Sequence, residues 1–380
     1  MTTLPPWAFA AALSSLDRMS LHRLNLLLDQ HNPHDAFQVV SGALGPRGLS
    51  ARLLDDRDLR VRWRQQATPE LPMQLWEQCC ELGLQVFARG EPDYPLCLTH
   101  DREAPPVLFS KGDIALLEGR RIGIVGTRNA TLSGRETATA FGRDLANCGL
   151  HVVSGLARGI DGCAHRGVIH AIASAENPDA VGVPIAVVAS GHDVVYPPEH
   201  RSLWQSVAET GVLLSECPPG TNPEPYRFPL RNRIIAALSE VLVVVESRSQ
   251  GGSLITVKAA KDRQIAVMAV PGAMRNRAAE GTNQLLRDGC HIAADVSDIL
   301  TLLHLDTRRV GGVAYDSRSQ PGAADESLLR LCCEPVTLEH LVLLSSQTLV
   351  DCAMGVARLE AGGWLRQHAG WYEQSRLGPS

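Results

Sequence analysis

The sequence predicts an α/β fold in which a doubly wound, mostly parallel sheet is preceded by a small helical module and followed by a winged-helix domain. Three observations carry that expectation. Six short runs of Val, Ile and Ala recur between residues 121 and 270, with helix patterns between them; the first 65 or so residues show apolar periodicity at helical spacing only; and the chain from residue 325 onward reads as three helices followed by a Gly-turned hairpin. Alternation of strand and helix over this length is the mark of a Rossmann-like sheet.

In chain order, Leu21, Leu24 and Leu28 define an apolar helical face, and Asn32-Pro33 and Gly45-Pro46 break the helices around it. A module over residues 1–68 is expected. Arg57, Arg60 and Arg64 can share one helical face, which reads first as a solvated face and second as a phosphate contact. Residues 70–120 carry an amphipathic helix near 75–82 and then the Pro-rich Tyr94-Pro95 and Ala104-Pro105-Pro106, the profile of a connector packed onto the next domain.

Strands are expected at 122–125, 152–154, 185–189, 212–214, 241–246 and 265–270, because their apolar runs are continuous, as strands buried on both faces require. Helices are expected at 133–147, 161–170, 198–210, 231–239 and 253–263, with Gly149 and Gly211 closing the first and third. Together these make an extended Rossmann-like domain over 69–305. Residues 306–324, rich in Gly, Ser, Arg and Asp, read as a linker. Helices at 326–333, 337–344 and 348–360, then Gly362-Gly363-Trp364-Leu365 and Gly370-Trp371-Tyr372, outline the winged helix over 325–380.

Composition narrows the functional classes. The 380 residues are 44% hydrophobic and 20% charged, ordinary for globular domains, and no apolar run approaches the ~20 residues of a membrane span. Residues 1–12 lack a Lys or Arg ahead of their apolar stretch, unlike a secretory leader, so a cytoplasmic location without membrane insertion is expected. None of the ten cysteines is spaced Cys-x-x-Cys, and the cluster His192, Asp193, His200 is divided by Tyr196-Pro197-Pro198; no metal or cofactor is expected. A net charge of −5 excludes a generally basic surface. Locally, residues 120–166 hold seven Arg against three acids, whereas residues 321–380 hold four Arg against seven. A polyanion would therefore meet the middle of the chain.

Four loops carry the candidate chemistry, each where a strand C-terminus meets a helix N-terminus. The first, Gly123-Ile-Val-Gly126-Thr127-Arg128-Asn129, is neither Gly-x-Gly-x-x-Gly nor a Walker loop, so it gives poor support to a dinucleotide or nucleoside triphosphate. Arg128 offers a forked guanidinium to phosphate, a structural salt bridge being the alternative. The second, Ser154-Gly155-Leu156-Ala157-Arg158-Gly159-Ile160-Asp161, has a hydroxyl, backbone room for a ligand and a helix-capping Asp161. Asp161 and His165 stand four apart, as an acid/base pair could, or as a cap and a packed histidine. The third, Tyr226-Arg227-Phe228-Pro229-Leu230-Arg231-Asn232-Arg233, can stack a base while holding adjacent phosphates, or Phe228 can belong to the core. The fourth, Gln250-Gly251-Gly252-Ser253, opens a helix with an anion-accepting turn.

In order and spacing these loops resemble the DNA-processing protein A (DprA, or Smf) family. The resemblance lies in residues 121–128, 153–161 with Ala164-His165, Ser215-Glu216 with Pro219-Gly220, 228–234, 252–256, Val270-Pro-Gly272 and 281–286, and covers about residues 85–300. It implies binding of single-stranded DNA, delivery of that strand to the RecA recombinase in natural transformation, and a homodimer. It also implies that the N-terminal module is sterile-alpha-motif-like (SAM-like). The DNA-binding residues expected are Gly126, Thr127, Arg128, Ser154, Gly155, Arg158, Phe228, Arg231, Asn232, Arg233, Gly252 and Ser253, with no catalytic residue. The sequence departs from the family where Leu16-Asp17-Arg18-Met19 replaces a Gly-containing turn, and where Gly251 and Val257 replace the usual Ser and Ala. The first departure bears on whether the N-terminal module itself touches DNA. The acidic C-terminal domain suits a protein-contact or spacer role, since phosphate contact needs cations.

The competing expectation is an enzyme, a phosphoribohydrolase of the lysine decarboxylase-like type on a similar sheet. Its Pro-Gly-Gly-x-Gly-Thr-x-x-Glu signature ends in a glutamate, whereas residues 251–258 here end in Val257-Lys258. A sequence-specific regulator reading duplex through the winged helix is a third class, but Arg358 and Arg366 are the cations available near its end.

Overall fold

Nine strands form one sheet within the first of two compact units, in a computed structural model that describes residues 4–305, 321–333, 335–368 and 370–374. Residues through 305 make one compact unit, and those from 321 belong to a second.

Six helices come first: α1 (Pro6–Ser14), α2 (Leu21–Gln30), α3 (Pro33–Ser41), α4 (Leu49–Leu53), α5 (Arg57–Gln66) and α6 (Leu71–Glu81). Ser20, Asn32 and Asp56 cap α2, α3 and α5 by accepting N–H bonds from Arg23, Asp35 and Leu59. These helices bury Leu13, Leu27, Phe37 and Trp63 in one apolar cluster that continues into Val86, Val107 and Phe109. The expected boundary at residue 68 thus falls inside the first compact unit.

The next segment is more than a connector. Residues 70–120 supply two strands, β1 (Gln85–Ala88) and β2 (Val107–Gly112), with the single-turn α7 (Leu96–Thr99) between them. The remaining strands of the sheet are β3 (Arg121–Val125), β4 (His151–Ser154), β5 (Pro184–Val188), β6 (Val212–Ser215), β7 (Val241–Val244), β8 (Ala266–Ala269) and β9 (His291–Ile292). Their order is β1-β2-β6-β5-β4-β3-β7-β8-β9. The strands from β6 to β9 across this order pair in parallel, and β2 joins β6 antiparallel with β1 antiparallel beyond it.

Helices cover both faces: α8 (Leu132–Asn147), α9 (Ile160–Ser174), α10 (Arg201–Thr210), α11 (Arg227–Leu238), α12 (Ser253–Asp262), α13 (Glu280–Arg287) and α14 (Val296–Leu302). Within β7, Val241 and Val243 pack with Phe141, Leu145 and Ile160 of α8 and α9, while Leu242 and Val244 pack with Ile234, Leu238 and Val257 of α11 and α12. This two-sided burial is why the run Val-Leu-Val-Val is apolar throughout. Each such side chain contributes roughly 1.5–3 kcal/mol of transfer free energy.

The winding places a crevice. After β3 the chain moves to one side through α8 and β4, and after β7 to the other through α12 and β8. The loops leaving β3 and β7 therefore diverge, and ligands of doubly wound sheets sit in such a gap.

One boundary matters for the site. Helix α11 begins at Arg227, four residues before the expected start, because Pro229 lies in the first turn, where a missing N–H removes no helical bond. Phe228 and Arg231 thereby become neighbours on one helical face, not members of a loop.

In the second unit, α15 (Ala323–Leu331), β10 (Val336–Thr337), α16 (Leu338–Ser345), α17 (Leu349–Ala361), β11 (Leu365–His368) and β12 (Trp371–Gln374) enclose Leu328, Leu341, Val356 and Leu359. The strands pair antiparallel in the order β10-β12-β11. Helix α15 starts inside the end of the expected linker, whose residues 306–320 lie outside those described. Among the described residues no single helix is long and apolar enough to cross a membrane.

Candidate nucleic-acid interface

The β3 and β7 loops enclose a cleft of about 580 Å³ lined by residues 125–129, Asp161, Phe228, Arg231, Asn232, Arg248 and residues 250–253, among others. A smaller cavity of about 180 Å³ adjoins it through Arg128, Tyr196 and Phe228 and includes Gly155 and Arg158.

The loop after β3 is held from two sides. Thr127 donates its N–H to the Glu246 carbonyl at 2.8 Å, and its own carbonyl accepts from Ile160 N–H at 3.3 Å. With the backbone pinned, Arg128 projects outward as an exposed side chain and lays its guanidinium over the Phe228 ring, 4.3 Å from the centroid. Phe228 is half-buried, and Tyr196 flanks it with ring centroids 5.5 Å apart at an interplanar angle of 52°. The result is a cation and two rings at one lip of the cleft.

Arg231, one turn on, lies beneath. It is buried and donates from Nη1 to the carbonyls of Gly155 and Val187, and from Nε to Asn232 Oδ1 at 3.1 Å. A Cβ at 155 would stand 2.3 Å from the guanidinium, so any other residue there would displace Arg231. Burial pulls the Arg231 pKa down to about 10, with Asp161 opposing and Arg128 reinforcing the shift, so it stays cationic at neutral pH. Burial raises the Asp161 carboxyl above its ordinary value, against the pull of Arg231 and Arg128. Asp161 accepts the Gly155 N–H at 3.2 Å rather than capping α9, whose cap is Gly159. His165 is wholly buried, and burial pushes its pKa down to about 4, which makes it a packed neutral histidine at pH 7.

The fourth loop brings α12 to the cleft with Gly252 as its N-cap and no side-chain cap, so its N–H groups and dipole face the same space. Ser253 is buried and donates to Ser247 Oγ at 2.9 Å. The opposite happens at α8, the first helix of the winding. Glu246, itself buried, accepts from Thr131 Oγ1 at 2.5 Å and Thr131 N–H at 3.0 Å, and a Cβ on Gly134 would meet its carboxyl at 2.3 Å. The protein's own carboxylate thus occupies the helix N-terminus where a dinucleotide pyrophosphate would sit.

Ten of the twelve expected residues, namely Gly126, Thr127, Arg128, Gly155, Arg158, Phe228, Arg231, Asn232, Gly252 and Ser253, line one or both of these cavities. Arg158 is exposed there and ion-paired with Glu199. Two expectations are corrected. Ser154 has no exposed surface, and its hydroxyl donates to the Ile124 carbonyl at 2.6 Å, tying β4 to β3. Arg233 points away from Arg231 into the protein, donating to the Glu103 carbonyl at 2.5 Å and pairing with Glu216. Tyr196, Asn129 and Arg248 also line the cleft but were not among the expected DNA-binding residues, although Asn129 closes the first candidate loop. Arg248 carries a readable signal, a cation just beyond a strand C-terminus; Tyr196 has none, because it reaches the lip from a distant loop.

A doubly wound α/β sheet whose first helix terminus is blocked, and whose adjoining cleft gathers Arg128, Arg231 and Arg248 beside aromatic rings, has the chemistry that suits an extended polyanion. Residues 85–304 match the family model of DNA recombination-mediator protein A, and the chain belongs to that family. DNA processing protein DprA of Bacillus subtilis is 39% identical over 236 residues, 62% of this chain and 76% of that one. Protein Smf of Escherichia coli is 30% identical over 290 residues, 74% and 75% of the two chains. The X-ray structure of DNA processing protein A from Streptococcus pneumoniae superposes with a TM-score of 0.64 at 25% identity, covering 79% of this chain and 98% of that chain. The Helicobacter pylori protein, described for its single-stranded DNA binding mode, superposes with a TM-score of 0.51 at 25% identity over 59% and 96%.

Proposed function

We propose that this chain binds single-stranded DNA in the cleft between the β3 and β7 loops and acts, without catalysing a reaction itself, as a recombination mediator. In this reading it protects incoming single strands in the cytoplasm, loads RecA onto them in natural transformation, and works as a homodimer. The observation that carries the reading is the Arg128–Phe228 stack above buried Arg231, which offers a ring for a base and fixed cations for the flanking phosphates. Glycosidic chemistry has less support, because residues 251–258 contain no carboxylate. We read the N-terminal helices as SAM-like and residues 325–380 as a winged helix whose excess of seven acids over four Arg suits a protein contact or spacer.

Two assays test this. Fluorescence anisotropy should give tighter binding to oligothymidylate than to duplex of equal length, with little dependence on base sequence. RecA-dependent ATP hydrolysis on single strands should start sooner when the protein is present. Equal affinity for duplex would contradict the first part, and an unchanged RecA lag the second.

A further inference from the structure

The stretch that supplies Phe228 has two working faces. Pro223, Pro225, Phe228 and Pro229 line the cleft, whereas Thr221, Glu224, Tyr226, Arg227 and Leu230 line a separate groove of about 930 Å³ whose other wall is the turn between α1 and α2. On this second face the same chemical unit recurs: Tyr226 is 55% exposed, and the Arg227 guanidinium lies 5.0 Å from its ring centroid. Arg227 Nη1 is bonded only weakly, to Cys217 Sγ at 3.6 Å, and its Nε has no partner among the described residues.

The far wall adds a cation. Arg18 is exposed in a left-handed turn (φ 58°), and that turn is fixed by Arg23 Nη1 donating to the Arg18 carbonyl at 2.7 Å. It stands in the turn Leu16-Asp17-Arg18-Met19. Of the groove's acids, Asp17 pairs with Arg62 at 3.3 Å, Glu216 pairs with Arg233, and Glu224 is hydrogen-bonded to the Tyr226 side chain.

We propose that a single strand leaving the cleft crosses the 223–230 ridge and enters this groove, with Tyr226 as a second base platform and Arg227 and Arg18 as its phosphate cations. The proposal rests on the cleft reading above and assigns the α1–α2 turn to the DNA track. Two rings on alternate faces of one ridge let consecutive parts of a flexible, base-tolerant strand be held without sequence readout.

The test uses the full-length protein and two oligothymidylates, of about 5 and about 20 nucleotides, the shorter to fill the cleft alone. Tyr226→Ala should lower the ratio of long- to short-oligomer affinity about tenfold, and Tyr226→Phe should restore it. Arg18→Ala should reduce the salt dependence of the long oligomer only. Phe228→Ala should weaken both lengths. Because Tyr226 is exposed, the melting temperature should hold, which separates a lost contact from a lost fold. An unchanged ratio in Tyr226→Ala would overturn the groove and leave it to another class of partner, while the loss of both lengths in Phe228→Ala would keep the cleft. Failure of the unaltered protein to bind either oligomer would sink the cleft reading and the groove with it.

Discussion

The Arg128 guanidinium lies 4.3 Å from the centre of the Phe228 ring, so the cation assigned to phosphate and the ring assigned to a base are one unit. The contact covers one ring face and steadies an otherwise exposed arginine. Arg128→Ala and Phe228→Ala should therefore be non-additive in DNA binding. A double-mutant cycle is expected to show coupling of about 0.5–1 kcal/mol, the scale of an exposed cation–π pair. Strict additivity would mean that the stack has no energetic role in the complex.

Phe228 is half-buried at the lip, not sealed in the core. Its replacement by Ala should cost less stability than the ~3–5 kcal/mol of a core Phe→Ala change. Thermal melts decide this, and a core-sized loss would return Phe228 to a structural role.

Arg233 and Arg231 are two residues apart and should fail in different ways. Arg233 is 7% exposed at its side chain and pairs with Glu216, which is 18% exposed, so Arg233→Ala strands a largely buried carboxylate. Urea unfolding should show a loss near the lower end of the ~3–5 kcal/mol expected for breaking a buried pair. DNA affinity of the remaining folded protein should change little. A variant with full stability and no binding would put Arg233 back in the DNA site.

Two buried histidines contribute to the acid response. His165 and His192 are buried, and burial lowers the pKa of each to about 4 from an ordinary 6.5. Between those values the unfolded chain binds the proton and the folded chain does not, so stability present above pH 6.5 falls as pH drops toward 4. The expected slope is ~1.4 kcal/mol per pH unit per histidine. His192→Gln, which can keep a donor toward the Leu213 carbonyl now 3.0 Å from Nε2, should remove about one histidine's share. An unchanged slope would mean that His192 is protonated in the fold.

Much of this was legible in the sequence where burial is two-sided. The Val-rich runs of β3 to β8 stand between helices, and their continuous apolarity marks them. β1 and β2 were hidden because they flank the prolines of residues 95–106 and pair antiparallel at the sheet edge, where the pattern looks like a packed connector. Placement at the C-terminal edge of the sheet brings Arg128, Phe228 and Arg231 to one cleft, although Phe228 and Arg231 stand on α11 and not in a loop. It could not separate Ser154 or Arg233 from them. A hydroxyl at a strand end and an arginine on a helix look the same in sequence whether they face the cleft or a buried partner. Tyr196 stayed invisible because its contact with Phe228 is purely tertiary.

Phosphate contact at the Arg128–Phe228 lip, as proposed, has its signature in salt dependence. The most direct measurement is the salt dependence of oligothymidylate affinity for the parent protein and Arg128→Ala. Log affinity should fall linearly with log salt in the parent, and the variant should bind more weakly with a slope shallower by about 0.7, one phosphate's share on a single strand. A variant with the parent's slope and affinity would contradict it.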